Sequence, residues 1–297
     1  MAKVSAESRA CSSVPVDTIR FTYANRNQSW LRRNIINSIE RLSGSRYLEQ
    51  LYFDWVASGA QGNPFDAAIQ KLKYPMALNG VSMDSVPSEG GLLLVANHPF
   101  GLADGLALGW LATQLRESVC ILTHSLLCRV PEFRPFLLPV DFGETSQARR
   151  NSAKTRRMAA DLLKSGGAVV IFPGGSVATS NQPFRRPAAE LPWHPFVTRL
   201  ALTENTTVLP VHVHGQNSSL FQVTSHVWYP LRAALLFRET RRRMGGDMRM
   251  TLGTPVMANE LARFTRSEIT DIFRRRCLEL GDADPEETFV WPSYIKW

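Results

Sequence analysis

Residues 91–111, GLLLVANHPFGLADGLALGWL, run from an apolar segment through a polar turn into a second apolar segment. The first reads as a strand ending at Asn97. Pro99, Phe100 and Gly101 turn the chain sharply, and Asp104 falls in the first turn of the helix that follows. His98 and Asp104 are thereby placed at the carboxyl end of a strand, where open α/β sheets bind ligands. An imidazole titrates near neutral pH and can take a hydroxyl proton. A carboxylate beside it would fix the tautomer and stabilise the imidazolium as it forms. The plainer reading is a histidine that only caps the turn.

Working outward, short apolar runs alternate with helical segments from residue 75 onward, which predicts an α/β fold with a mixed, mostly parallel sheet flanked by helices. Strands are expected at 76–83, 92–96, 119–122, 168–172, 208–212 and 248–252. Helices are expected at 104–115, 149–164, 193–202 and 259–280. Residues 1–27 are polar and aperiodic and read as a mobile tail. Residues 28–74 read as an N-terminal amphipathic helical hairpin, and residues 75–297 as one catalytic domain.

In the hairpin, Leu31, Ile35, Ile39 and Leu42 form one stripe, and Leu48, Leu51, Tyr52 and Trp55 form another. Two readings stand. The stripes cap the core, or they lie in a membrane interface with Trp and Tyr at headgroup level and Arg against anionic lipid.

The 297 residues, 44% of them hydrophobic, suffice for a packed core, and the net charge of +8 favours anionic partners. No stretch offers the roughly 20 consecutive apolar residues of a spanning helix. The N-terminus lacks the apolar core and cleavage site of a secretory signal. Four cysteines, neither densely placed nor in metal-binding pairs, fit a reducing cytosolic compartment.

Two further segments carry chemistry. AVVIFPGGSVATS, 168–180, is a strand delivering a glycine-rich turn, and the backbone N–H groups of Gly174, Gly175 and Ser176 could approach an oxyanion closely. VLPVHVHGQNSSLFQ, 208–222, places His212 and His214 on one face of a strand, yet no third ligand stands out, so no metal is expected. The plainer readings are a strand-exit turn, a polar lid from His214, and a hydrogen-bonded turn at Asn217 and Ser218.

These segments, in this order, resemble the lysophospholipid or glycerolipid acyltransferases. NHPFGLADG at 97–105 and HGQNSSLF at 214–221 are most like the branch of the lyso-ornithine-lipid acyltransferases and of proteins labelled haemolysins. The resemblance covers roughly residues 75–257. It implies a glycerolipid acyltransferase-like fold, His98 as general base, Asp104 as its partner, and Asn97, Gly101, Gly174, Gly175, Ser176, His214 and Asn217 at the substrate. The reaction implied is transfer of an acyl chain from acyl carrier protein or coenzyme A to the hydroxyl of a lysolipid, of lyso-ornithine type or a 1-acylglycerol 3-phosphate. No cofactor is implied. The expected location is cytoplasmic, peripheral on the inner face of the cell membrane.

Three departures mark the chain. Five residues separate His98 from Asp104 where the family has four, the extra one lying in the Pro-Phe-Gly turn where a bulge would absorb it. Gly174 stands where the family has Glu. Asp141 is followed by Phe142, so the phosphate-binding Arg expected there is missing, and Arg149 or Arg150 is the candidate substitute. That loss favours a lyso-aminolipid acceptor. Rival readings are an ester hydrolase using the same His-Asp pair, with water or Ser176, and a basic nucleic-acid-binding protein. Neither a helix-turn-helix nor a nucleophile elbow supports them, and no nucleic acid is expected as partner.

Overall fold

The computed structural model describes residues 21–22, 24, 29–140, 146–184, 187–281 and 283–292. Its centre is β2 (Gly91–Ala96), whose six residues are all buried. Leu92, Leu94 and Ala96 point into one apolar layer, and Leu93 and Val95 into the other. The unbroken apolar run is what a strand covered on both faces requires. Each such Leu contributes about 1.5–3 kcal/mol when fully buried.

The remaining strands are β1 (Met76–Gly80), β3 (Val119–His124), β4 (Leu137–Val140), β5 (Ala168–Ile171), β6 (Thr206–Val213), β7 (Met248–Leu252) and β8 (Val256–Met257). Their order is β1-β7-β6-β2-β5-β3-β4, with β8 pairing β6. β2 runs parallel to both β5 and β6, β3 is parallel to β5 and β4, and only β7 and β8 pair antiparallel with β6. The mixed, mostly parallel sheet is as expected.

One face is covered by α3 (Pro64–Leu72) and α4 (Leu102–Leu115), through Phe65, Ile69, Leu108 and Leu111. The other is covered by α5 (Ser146–Lys164), α6 (Phe196–Ala201) and α10 (Arg266–Glu279), through Leu163, Val197, Leu200 and Phe273. The long C-terminal helix expected at 259–280 is two helices, α9 (Ala258–Leu261) and α10. Thr265 caps α10 with Glu268 in a capping box, a restart signal that the apolar periodicity conceals. α7 (Ser219–Ser225) and α8 (Tyr229–Arg242) were not expected. α8 begins with Pro230 in its first turn, a start signal, but buries Arg232, Glu239 and Thr240, which breaks the apolar stripe.

The N-terminal hairpin exists as α1 (Trp30–Leu42) and α2 (Ser45–Ala57). α2 caps the core as expected, with Leu48, Tyr52 and Trp55 buried. α1 turns only Ile39 of its predicted stripe inward, against Val177, Phe221 and Leu235. Ile36 is its buried apolar residue, while Trp30 is 71% exposed, Leu42 86%, and Leu31 and Ile35 also face out. Most of the predicted tail lies outside the described residues, but Phe21 and Thr22 within it are docked on the domain. The Phe21 ring packs on Tyr52 and Phe237, and Thr22 Oγ1 donates to Glu40 Oε2 at 2.6 Å. Cys120 and Cys277 are free thiols, whereas Cys128 is disulfide-bonded, which the cysteine count did not anticipate. Among the described residues no helix is long and apolar enough to cross a membrane.

Candidate active site

Because β2, β5 and β6 are parallel and in register, their carboxyl ends bring 97–104, 172–178 and 213–217 to one edge of the sheet. Gly101 caps α4 with φ +88°, a left-handed value that a side chain rarely adopts, and so absorbs the extra residue of the turn. Asp104 Oδ2 accepts the N–H groups of Phe100 and Gly101, both at 2.8 Å, at the positive end of the helix. The same oxygen lies 2.9 Å from His98 Nδ1. Asp104 is fully buried and His98 Nδ1 is buried against it, while the His98 side chain as a whole keeps 18% exposure. His98 also stacks on Phe172, with ring centroids 4.2 Å apart.

The backbone of His98 is fixed on both sides. Its N–H donates to Glu190 Oε1 at 2.8 Å and its carbonyl accepts from Ala178 N at 2.8 Å. The second bond ties the histidine to the glycine-rich turn after β5. In that turn the Gly175 N–H closes on Phe172 O, so it is used internally. The N–H groups of Gly174 and Ser176 have no partner among the described residues. A hydrogen-bond acceptor charged in a transition state could use them.

Sequence reasoning missed Glu190, which is 3% exposed and accepts from His98 on one oxygen and from Trp193 Nε1, at 3.4 Å, on the other. A Cβ on Gly174 would meet Glu190 Oε2 at 2.7 Å. The absent side chain at 174 thus makes room for a carboxylate from elsewhere in the chain. Burial pushes the Glu190 carboxyl up to about 7, against the lowering effect of the His98 N–H. Arg232 of α8 was missed as well. Its buried guanidinium donates to Val177 O and Thr179 Oγ1, and to Ser176 Oγ at 3.3 Å, and so holds the segment that follows the turn. Burial lowers its pKa to about 10.

The other predicted site residues sort differently. Asn97 spends its amide on Val213, donating to the carbonyl at 2.9 Å and accepting from the N–H at 2.7 Å, so it locks β2 to β6 and does not face a substrate. Asn217 is buried, with its Nδ2 3.5 Å from Phe100 O, and supports the loop from behind. His214 Nε2 lies 2.6 Å from Thr251 Oγ1 and lines a cavity of about 470 Å³. His212 packs inward, with Nδ1 2.9 Å from Cys277 O. Among the described residues no group of three or more His, Cys, Asp or Glu is placed to hold a metal. Arg150 is exposed on α5, and the Arg149 side chain and Asp141–Phe142 lie outside the described residues.

Residues 79–214 match the family model described as Acyltransferase. Over 254 residues the chain is 22% identical to a lyso-glycine lipid O-acyltransferase of Phocaeicola vulgatus, spanning 82% of this chain and 86% of that one. A lyso-glycine lipid O-acyltransferase of Bacteroides thetaiotaomicron is 26% identical over 163 residues, 54% of this chain and 56% of its own length. Among solved structures, the 1-acyl-sn-glycerophosphate (LPA) acyltransferase PlsC from Thermotoga maritima is similar at 14% identity and TM-score 0.46, covering 86% of this chain and 82% of that chain. The stretch that matches the Acyltransferase model begins in β1, ends at His214 and encloses His98, Asp104, the 174–178 turn and Glu190.

Proposed function

We propose that the protein is a lysolipid O-acyltransferase in membrane lipid biosynthesis whose acceptor is a lyso-aminolipid. The observation that carries the catalytic reading is the 2.9 Å approach of buried Asp104 to Nδ1 of a histidine whose side chain stays partly exposed. His98 Nε2 takes the proton of the acceptor hydroxyl while the hydroxyl oxygen attacks the thioester carbonyl of acyl carrier protein or coenzyme A. Asp104 holds the ring in the tautomer that leaves Nε2 a base. The oxyanion is met by the N–H groups of Gly174 and Ser176, an effect worth about 3 kcal/mol per donor. Collapse expels the thiolate, which leaves as the thiol with the proton from His98. The names of both relatives and the Arg missing after Asp141 support an amino-acid-containing headgroup over a phosphate monoester. Incubating the protein with a radiolabelled acyl thioester and a lyso-aminolipid tests this. Product should form, and His98→Ala should lower kcat by about 10²–10⁴-fold at unchanged folding. Normal turnover by folded His98→Ala ends the reading.

The same proposal places the protein on the surface of an anionic membrane. α1 presents Trp30, Leu31, Ile35 and Leu42 outward, and Arg41 and Arg33 lie on the same helix. An outward apolar stripe with basic neighbours suits an interface. The protein should float with vesicles containing phosphatidylglycerol at low salt, and Leu31→Ser/Leu42→Ser should sediment. Flotation that does not depend on α1 counts against it.

A further inference from the structure

One cavity stands beside the catalytic loop without a role in the chemistry above. Its walls are His214 and Gly215 after β6, Arg242 and Arg243 at the end of α8, Asp247, and Arg249 on β7. Three arginines and one exposed aspartate thus share its lining. Arg242 is engaged by Glu239, at 3.4 Å. Arg243 and Arg249 have no carboxylate partner among the described residues. Arg243 is half-buried, its Nε is enclosed without a hydrogen bond, and its one described hydrogen bond is to Asp247 O at 3.2 Å. Burial lowers its pKa from the ordinary value, partly offset by the nearby Tyr74 and Asp104.

The cavity is coupled to the site through Phe100. The Arg243 guanidinium carbon lies 3.6 Å from the Phe100 ring centroid, and a Cβ on Gly215 would meet Phe100 Cζ at 2.8 Å. Phe100 is two residues from His98, so their Cα atoms are at most about 7 Å apart. The cavity therefore adjoins the loop that carries His98.

We propose that this cavity is the headgroup subsite for the acceptor, taking its anionic carboxylate between Arg243 and Arg249. The inference rests on the acyltransferase reading and deepens it. A lipid built on N-acylated glycine keeps a free carboxylate, and a planar guanidinium binds such a group bidentately. The same chemistry could serve the phosphates of a coenzyme A donor, and the test separates the two sources.

The experiment uses the full chain, a 3-hydroxyacyl amide of glycine as acceptor, and its carboxamide analogue. Wild type should prefer the carboxylate by about tenfold or more in kcat/KM. Arg249→Gln, which leaves the Phe100 stacking untouched, should raise the acceptor KM more than it lowers kcat and should erase that preference. Arg243→Met should do the same more strongly. A variant that slows both acceptors alike overturns the proposal. So does a defect that appears with a coenzyme A donor and disappears with a phosphate-free N-acetylcysteamine thioester, since the anion bound would then be the donor's. Calorimetric titration of the glycine amide into His98→Ala, with and without Arg249→Gln, gives a reading independent of turnover. Binding that needs Arg249, together with a wild-type protein that transfers no acyl group, keeps the anion site and sinks the enzyme reading.

Discussion

At the end of β2, the Asp104 carboxylate is held by groups that all lie between Asn97 and Asp104. Gly101 supplies the left-handed turn, and the Phe100 and Gly101 N–H groups hold the carboxylate. At the end of β5 the glycine-rich turn has almost no local support. The segment after it is held by Arg232, from α8, and by the His98 carbonyl, while Glu190, from the loop before α6, abuts Gly174 and accepts the His98 N–H. The carboxylate at one strand end therefore carries its own positioning, whereas the His98 backbone and the segment after β5 borrow theirs from distant sequence. Replacing residues at the first should damage chemistry and local structure together. At the second, the damage should depend on which remote partner remains.

The largest effect is expected at Asp104. Asp104→Ala strands two buried backbone N–H groups, each worth about 1–3 kcal/mol, and removes the partner of His98. Stability should fall by a few kcal/mol in urea unfolding, and kcat by about 10²–10⁴-fold. Asp104→Asn separates the two roles. An amide oxygen can still accept from the loop, so stability should fall by less than about 1 kcal/mol. The tautomer of His98 is no longer held, so the rate should remain about 10²-fold or more below wild type. Near-normal turnover by Asp104→Asn would mean that the carboxylate matters only as a cap.

A smaller effect is expected from titrating Glu190. Its carboxyl is raised by burial to about 7 from an ordinary 4.5, so the folded state favours the protonated form. The corresponding stability is complete below about pH 4.5 and is lost as pH rises through about 7, by an amount on the order of 3 kcal/mol at most. Glu190→Gln should flatten the fall in stability between pH 5 and 8 in paired denaturant titrations. A wild-type profile already flat across that window would show that the carboxyl ionises there without cost.

The contrast between the two strand ends also explains what could be read from the sequence. The β2 exit was legible because its parts are neighbours in the chain, so spacing stands in for geometry. Glu190 and Arg232 were not, because nothing in PAAELPW or YPLRAALLF marks a polar residue as turned towards a distant turn. Asn97 was misread for a related reason. Its place beside His98 suggests a substrate contact, while its amide is consumed by Val213 on a strand far along the chain. In α1 the apolar period was right, and the sequence left its facing open between core and interface. Periodicity says which side of a helix is apolar, and only packing says whether that side is covered.

The smallest and most specific effect is expected at Gly174. Its φ is not in the left-handed region, so backbone strain does not enter, and the obstacle to a side chain is the 2.7 Å approach of Glu190 Oε2. Gly174→Ala must push the carboxylate from the His98 N–H or shift the turn, at a cost of about 1–3 kcal/mol. In a Glu190→Ala background that obstacle is gone, and the same substitution should be nearly neutral. The double-mutant cycle should therefore show a coupling of about 1 kcal/mol or more, read from unfolding midpoints. A like coupling in kcat would show that Glu190 positions His98 for turnover. Additive effects would mean that the turn after β5 accommodates a methyl group by itself, and that its dependence on a borrowed carboxylate is only apparent.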